Sequence, residues 1–348
     1  MRSLYLIYLV LLSLIIFQLI LLLVSSVRGA HKYFFMKEMD LLERYGANSW
    51  VVITGASSGQ GYEMALAFAD RGFNLLLIGS KRTHKTQEYI RQTYPLVKTK
   101  VIYKDFRQAF LDDFFVDIQA AFEEIGDDLA VLVNNVGHRV GWNPYHEMDS
   151  GYIRDVIATG TLAQSRLTHM VIPWFLRRKE STSKSKQSAL INITAQCLHP
   201  NFLFGVTLPN EISVPYLSIY EAANAFGFYQ SSSIYKEYQD VFDILTVTPG
   251  AVVTENTGCL KDTLFNVSSK TYVTHLMRMI GNVQGTTCAY WGHAFSNYLV
   301  NLAPNMKDGI LKKVGETISA DFMQKTQRDY SVVDTSAAED TGTAKEEA

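Results

Sequence analysis

The sequence predicts an α/β protein built on a doubly wound parallel sheet, preceded by an N-terminal transmembrane helix. Three observations carry this expectation. An uncharged apolar stretch fills residues 3–24, short apolar β-branched runs alternate with segments of helical period from Trp50 onward, and a glycine-rich turn joins the first run directly to a helix.

The apolar stretch SLYLIYLVLLSLIIFQLILLLV contains only Ser3, Ser13 and Gln18 as clearly polar positions. As a helix it can cross the ~30 Å hydrocarbon core of a bilayer. It exceeds the ~7–15 apolar residues of a cleaved signal, and Ser25-Ser26-Val27-Arg28 is a poor small-residue cleavage site. A single-pass anchor is therefore expected, followed by a membrane-proximal linker over 25–48. Arg2 precedes the span and Arg28, Lys32 and Lys37 follow it, which places the body on the cytoplasmic side by the positive-inside rule.

Six runs read as strands buried on both faces: 50–54, 74–79, 100–104, 129–133, 189–194 and 243–248. Between them, 63–72 and 110–126 repeat apolar residues at helical spacing and end at glycine. This alternation predicts a Rossmann-type domain over 49–260. The stretch 177–187, RRKESTSKSKQ, reads as a solvated loop. A helical extension is expected over 261–331, and a disordered tail over 332–348, where Ser, Thr, Ala and acidic residues show no apolar period.

Composition narrows the function classes. The 348 residues are 47% hydrophobic and 19% charged, with a net charge of −2, so the general basic attraction of a nucleic-acid binder is missing. Cys197, Cys259 and Cys288 are far apart and without CxxC spacing, which suggests neither a disulfide framework nor a cysteine zinc site. The histidines show no HExxH-like spacing either, and no metal is expected.

The first predicted strand runs into Thr54-Gly55-Ala56-Ser57-Ser58-Gly59-Gln60-Gly61 and then a helix. A strand, a glycine-rich turn and a helix N-terminus together present backbone N–H groups and the positive end of the helix dipole to a pyrophosphate. Asp105 follows the third strand, and Asn134-Asn135-Val136-Gly137 follows the fourth. These ordered signals resemble the short-chain dehydrogenase/reductase family. Within it, the chain is similar to the membrane-anchored 3-ketoacyl-CoA reductases and 17β-hydroxysteroid dehydrogenases. The resemblance covers residues 1–305 and includes a distal tail: Ile280-Gly281-Asn282, Thr287-Cys288-Ala289-Tyr290-Trp291-Gly292-His293 and Leu302-Ala303-Pro304. Pro249-Gly250-Ala251-Val252-Val253-Thr254 resembles the family loop at the nicotinamide end.

The resemblance implies a dinucleotide held by Thr54, Gly55, Ser57, Ser58, Gly59, Gly61, Asn134, Val136, Gly137, Pro249, Gly250, Val252 and Thr254. After the second strand, Ser80-Lys81-Arg82 stands where an acidic residue would hold the ribose hydroxyls of NAD. Lys81 and Arg82 can instead pair with a 2′-phosphate, which favours NADP(H). Asp105 is implied to accept from the adenine amino group, although a carboxylate in this place can equally cap a helix.

Family chemistry passes a hydride to a carbonyl carbon while a tyrosine hydroxyl supplies the proton. A lysine four residues on, a serine and a relay asparagine assist. On this sequence the tyrosine is Tyr220, but Asn224 replaces the lysine, Gly160 the asparagine and Ala195 the serine, leaving Thr194 as the nearest hydroxyl. An insertion over 196–218 carries Cys197, His199, Pro200, Pro209 and Pro215; it could build a new pocket, fill the old one or bind a partner. Two functions follow. One is a membrane-anchored NADP(H)-binding reductase of lipid-like acyl-CoA or steroid ketones, with impaired chemistry. The other is a non-catalytic subunit of a membrane complex. The resemblance implies the endoplasmic reticulum membrane, with a mitochondrial membrane as the alternative, and a homodimer or larger assembly. His293 suits a hydrogen-bonded packing role at least as well as chemistry.

Overall fold

The N-terminal stretch forms one helix, α1 (Arg2–Ala30), whose 29 residues span about 43 Å at ~1.5 Å per residue. With the π-helical turn His31–Phe35 that ends it, this is a helix long and apolar enough to cross a membrane. The structure is a computed structural model that describes residues 2–181, 186–195, 213–255, 257, 261–302, 306 and 308–320.

The segment expected as a linker is packed onto the body of the protein. Tyr33 is buried and its hydroxyl donates to the Cys288 carbonyl at 3.1 Å, the Phe34 ring lies 6.0 Å from that of Trp291, and Lys32 donates to Thr287 Oγ1. Asp40 then caps α2 (Leu41–Tyr45) by accepting from the Glu43 amide at 3.0 Å. From α2, Arg44 grips Asp243 through Nε at 2.5 Å and Nη2 at 2.7 Å, and the Tyr45 hydroxyl adds a bond of 2.7 Å. Gln284 completes the shell around this nearly buried carboxylate at 3.0 Å.

The six expected runs all form strands: β1 (Trp50–Thr54), β2 (Asn74–Gly79), β3 (Thr99–Tyr103), β4 (Leu129–Asn134), β5 (Ala189–Ile193) and β6 (Asp243–Val247). Two very short strands, β7 (Val252–Val253) and β8 (Val267–Ser268), pair with each other, and β9 (Gly285–Thr287) joins the main sheet. The sheet order is β3-β2-β1-β4-β5-β6-β9, every pair parallel, so the order reverses between β1 and β4.

Alternation along each strand feeds two cores. Val51, Ile53, Leu75 and Leu77 face one core, with Met64 and Phe68 of α3 (Gly59–Asp70), Ile90 of α4 (Thr83–Thr93) and Tyr272 of α9 (Ser269–Met279). Val52, Leu76 and Ile78 face the other. There they meet Ile118 and Phe122 of α5 (Val116–Ile125), and Leu167 and Phe175 of α7 (Ala163–Ser181). The remaining helices are α6 (Ser150–Ile157), α8 (Ser218–Tyr238) and α10 (Trp291–Leu302), with further helix over 308–320.

Two expectations need correction. The helical stretch 110–126 is helical only from Val116; before it, Phe114 and Phe115 turn into the core with ring centroids 4.9 Å apart, and that packing overrides the apolar period. The solvated loop over 177–187 starts too early, because α7 continues to Ser181. Arg178 is buried there and donates to the carbonyls of Tyr45 and Asp127 and to Ser49 Oγ, acceptors that a solvated reading does not foresee. Within the expected linker, Tyr33, Leu41 and Tyr45 are buried while Phe34 and Phe35 stay largely exposed. Most of the insertion, 196–212, lies outside the described residues, as do Cys197, Cys259, His199 and the tail 332–348.

Asp243→Ala leaves Arg44, Tyr45 and Gln284 without their shared acceptor. It should lower unfolding stability by about 3 kcal/mol, read from denaturant midpoints of the full chain.

Candidate active site

The carboxyl ends of the strands open onto one cavity of about 820 Å³, at the switch point where the strand order reverses. Its walls combine the two groups of residues singled out from the sequence.

On the nucleotide side, Gly55, Ser57, Ser58 and Gly59 line the cavity between β1 and α3. The turn depends on missing side-chain volume. Gly55 has φ +67°, and a Cβ placed on Gly61 would stand 2.3 Å from the Gly55 carbonyl oxygen and 2.6 Å from Asn135 Nδ2. Asn135, which the sequence motif does not single out, holds the turn to the β4 end. Its Nδ2 donates to the Thr54 carbonyl at 2.9 Å, while its amide and that of Val136 donate to Thr54 Oγ1 at 2.9 and 3.0 Å. Thr54 and Gly61 thus stand behind the wall and set its shape, whereas Val136 and Gly137 reach the cavity.

Asn134 is also behind the wall. Its Nδ2 donates to Thr168 Oγ1 at 3.0 Å and to Asn192 Oδ1 at 2.8 Å; Asn192 donates to Ser231 Oγ at 2.8 Å, and Ser231 to the Gly227 carbonyl at 2.7 Å. This buried chain runs from β4 through β5 into α8. Linked polar groups in such a setting fix register, because breaking one link strands the next, although Asn134 Oδ1 itself has no partner among the described residues.

Ser80, Lys81 and Arg82 line the cavity at the end of β2. Arg82 Nη1 lies 2.7 Å from Glu255 Oε2 across the mouth, a solvent-exposed pair that a phosphate can displace. Asp105 lines the cavity too, and caps the short turn Phe106–Gln108 by accepting from the Arg107 amide at 3.1 Å. The Arg107 guanidinium, 2.6 Å away, holds its carboxyl below the usual range. Pro249, Gly250, Val252 and Thr254 close the opposite wall, and His293 packs behind them.

On the catalytic side, Tyr220, Asn224, Gly160, Thr194 and Ala195 all line the same cavity, so the positions counted from sequence do converge. Asn224 Nδ2 folds back to donate to the Tyr220 carbonyl at 2.9 Å, and Thr194 Oγ1 donates to the Val247 carbonyl at 3.1 Å. Gly160 sits in the π-helical turn Ala158–Leu162, where a Cβ would lie 3.2 Å from that of Ala223 on α8. One turn on, a Cβ at Gly227 would meet Gln164 Oε1 at 2.9 Å. Small residues therefore let α8 approach closely. Gln164, a cavity residue with no signal in the sequence, donates weakly to the Gly227 carbonyl at 3.4 Å.

Beside Tyr220, the half-buried Glu221 accepts from the Val214 amide at 2.9 Å. Burial pushes its carboxyl up to about 7 despite that bond.

Comparison with known proteins agrees with this fold. Residues 49–202 match the short chain dehydrogenase family profile. The very-long-chain 3-oxoacyl-CoA reductase of Emericella nidulans is 27% identical over 297 residues, covering 81% of this chain and 79% of the relative. Hydroxysteroid dehydrogenase-like protein 1 of Gallus gallus is 27% identical over 271 residues, covering 74% and 72% respectively. Among solved structures, a short-chain dehydrogenase from Sphingobium yanoikuyae in complex with NADPH superposes with a TM-score of 0.57 at 21% identity, covering 76% of this chain and 95% of that one. The chain thus has the short-chain dehydrogenase fold and is related to 3-oxoacyl-CoA and steroid dehydrogenases.

Two outcomes follow. Gly61→Ala drives a methyl into the Gly55 main chain and should cost about 1–3 kcal/mol, read by denaturation, while abolishing dinucleotide binding. Glu221→Gln tests the raised carboxyl. Between pH 4.5 and about 7 the folded protein holds a proton that the unfolded chain releases, so its stability falls as pH rises through that window. The variant should show a flatter pH dependence there and a relative gain in stability at pH 8, measured from denaturant midpoints.

Proposed function

We propose that this chain is a membrane-anchored NADP(H)-binding protein that has lost the ordinary tyrosine–lysine ketone reduction of the enzymes it resembles. The observation that carries this reading is Asn224. Where a lysine would place a positive charge one helical turn from Tyr220, an amide bonds to the Tyr220 backbone instead.

The nucleotide half fits a dinucleotide. Its turn has glycine wherever a side chain would obstruct the cradle, α3 points its N-terminus at it, and its β2 end offers Lys81 and Arg82 with no carboxylate to hold ribose hydroxyls. When bound, the nicotinamide would supply a hydride. Lys81 and Arg82 would hold the 2′-phosphate, with Arg82 released from Glu255, and the 249–254 loop would flank the nicotinamide end. Asp105, whose two oxygens both accept from Arg107, would have to share one of them with the adenine amino group.

The other half lacks what a hydride acceptor needs. A positioned acid and an oxyanion donor each contribute on the order of 10²–10⁴ in rate. Such groups act as a unit, so the factors do not multiply, but losing three of four supports a ligand-binding rather than a turnover role. The relatives' names, 3-oxoacyl-CoA reductase and hydroxysteroid dehydrogenase, support a lipid-like acyl or steroid ligand for the remaining cavity. The apolar α1 supports placement in a membrane, with the endoplasmic reticulum as the favoured one.

Calorimetric titration of the full chain in detergent tests the cofactor reading. NADPH should bind at least about tenfold more tightly than NADH, and the double variant Lys81→Ala, Arg82→Ala should remove that preference. Equal affinities in the unsubstituted protein, or binding of neither, would contradict it.

A further inference from the structure

The distal tail is conspicuous in the sequence but lines no part of the cavity, and one of its members, His293, is among the most buried polar side chains of the described residues. Its surroundings are main chain on both edges of the ring. The Gly250 amide donates to Nδ1 at 3.1 Å, and Nε2 lies 3.1 Å from the Ala251 carbonyl. A backbone N–H can only donate, so Nδ1 must be the acceptor and the ring proton must sit on Nε2, pointing at the carbonyl. A single tautomer thus satisfies two consecutive peptide groups at once.

Those peptide groups belong to the loop that walls the cleft: Pro249, Gly250, Val252 and Thr254 all face the cavity. The far half of the loop is held by pairing of β7 with β8 and by Thr257 Oγ1, which donates to the Val252 carbonyl at 2.8 Å. The near half follows Pro249, which has no amide to give, and it is here that the imidazole attaches. His293 is itself fixed. It lies in the first turn of α10, its ring packs 5.1 Å from that of Tyr290 and 5.7 Å from that of Tyr272, and the Tyr290 hydroxyl donates to the Leu264 carbonyl at 3.2 Å. The preceding residues, Cys288 and Trp291, are the ones that receive Tyr33 and Phe34 from the base of α1.

We infer that His293 is a positioning residue for the nucleotide site: by bridging the Gly250 amide and the Ala251 carbonyl, it fixes the 249–254 loop in the conformation that receives the cofactor. The inference rests on the NADP(H) reading for its consequence, although the bridge exists without it. Its chemical requirement is an acceptor and a donor on opposite edges of one side chain. Glutamine reproduces that pair through its carbonyl oxygen and NH₂ group, while phenylalanine keeps the ring volume and supplies neither.

Hydrogen exchange and NADPH titration on full-length His293→Phe and His293→Gln, in detergent, test it. In His293→Phe the Gly250 amide should exchange at least about tenfold faster, and NADPH should bind on the order of tenfold more weakly, as expected for one or two lost hydrogen bonds. His293→Gln should restore most of both. Unchanged Gly250 exchange in His293→Phe would overturn the inference, as would equal losses in the two variants, which would make the histidine a matter of shape alone. Faster Gly250 exchange with unchanged NADPH affinity would also overturn it. Should the unsubstituted protein bind no NADPH, the nucleotide reading fails, and protection of Gly250 still decides whether the bridge sets the loop.

Discussion

A Cβ on Gly61 would stand 2.3 Å from the Gly55 carbonyl oxygen, and the carboxyl end of the sheet is arranged around that close approach. Because α3 starts so near β1, the turn between them presses against Asn135, whose amide group returns to the Thr54 carbonyl at 2.9 Å. Thr54 Oγ1 then collects two amides from the β4 end. The turn and the adjacent loop are thereby a single hydrogen-bonded unit, and the cavity wall inherits its rigidity. From Asn134 the buried chain through Asn192 and Ser231 extends that order to α8.

The same economy of volume has a different effect on the opposite wall. Gly160 faces Ala223, and Gly227 faces Gln164 and Thr194, so α8 fits against the π-helical turn and α7 where longer side chains would hold it away. A Cβ at 160 would lie 3.2 Å from that of Ala223, so the close approach of α8 involves Gly160, Ala223 and Gly227 together.

Much of this was legible in the sequence because burial on both faces gives strands an unbroken apolar signature, as in NLLLIG of β2. The short strands escaped notice for the converse reason: Gly-Thr-Thr of β9 and the two residues each of β7 and β8 are too brief to show any period. Motif counting placed Gly160, Ala195, Tyr220 and Asn224 on one cavity, since those spacings are fixed by helix and strand geometry. Contacts across long stretches of chain left no such trace. The partnership of Arg44 with Asp243, of Arg82 with Glu255 and of His293 with Gly250 joins residues 199, 173 and 43 positions apart. The segment after α1 shows no such period either: Tyr33 and Met39 take their order from the body they dock against, and Phe34 from Trp291.

The central claim is that a dinucleotide cleft persists beside a catalytic half that no longer delivers a proton. Rapid mixing of the NADPH-loaded full chain with a long-chain 3-ketoacyl-CoA, followed by nicotinamide absorbance through a single turnover, tests it most directly. The account predicts bound NADPH that stays reduced over minutes; stoichiometric oxidation within seconds, abolished by Tyr220→Phe, would contradict it.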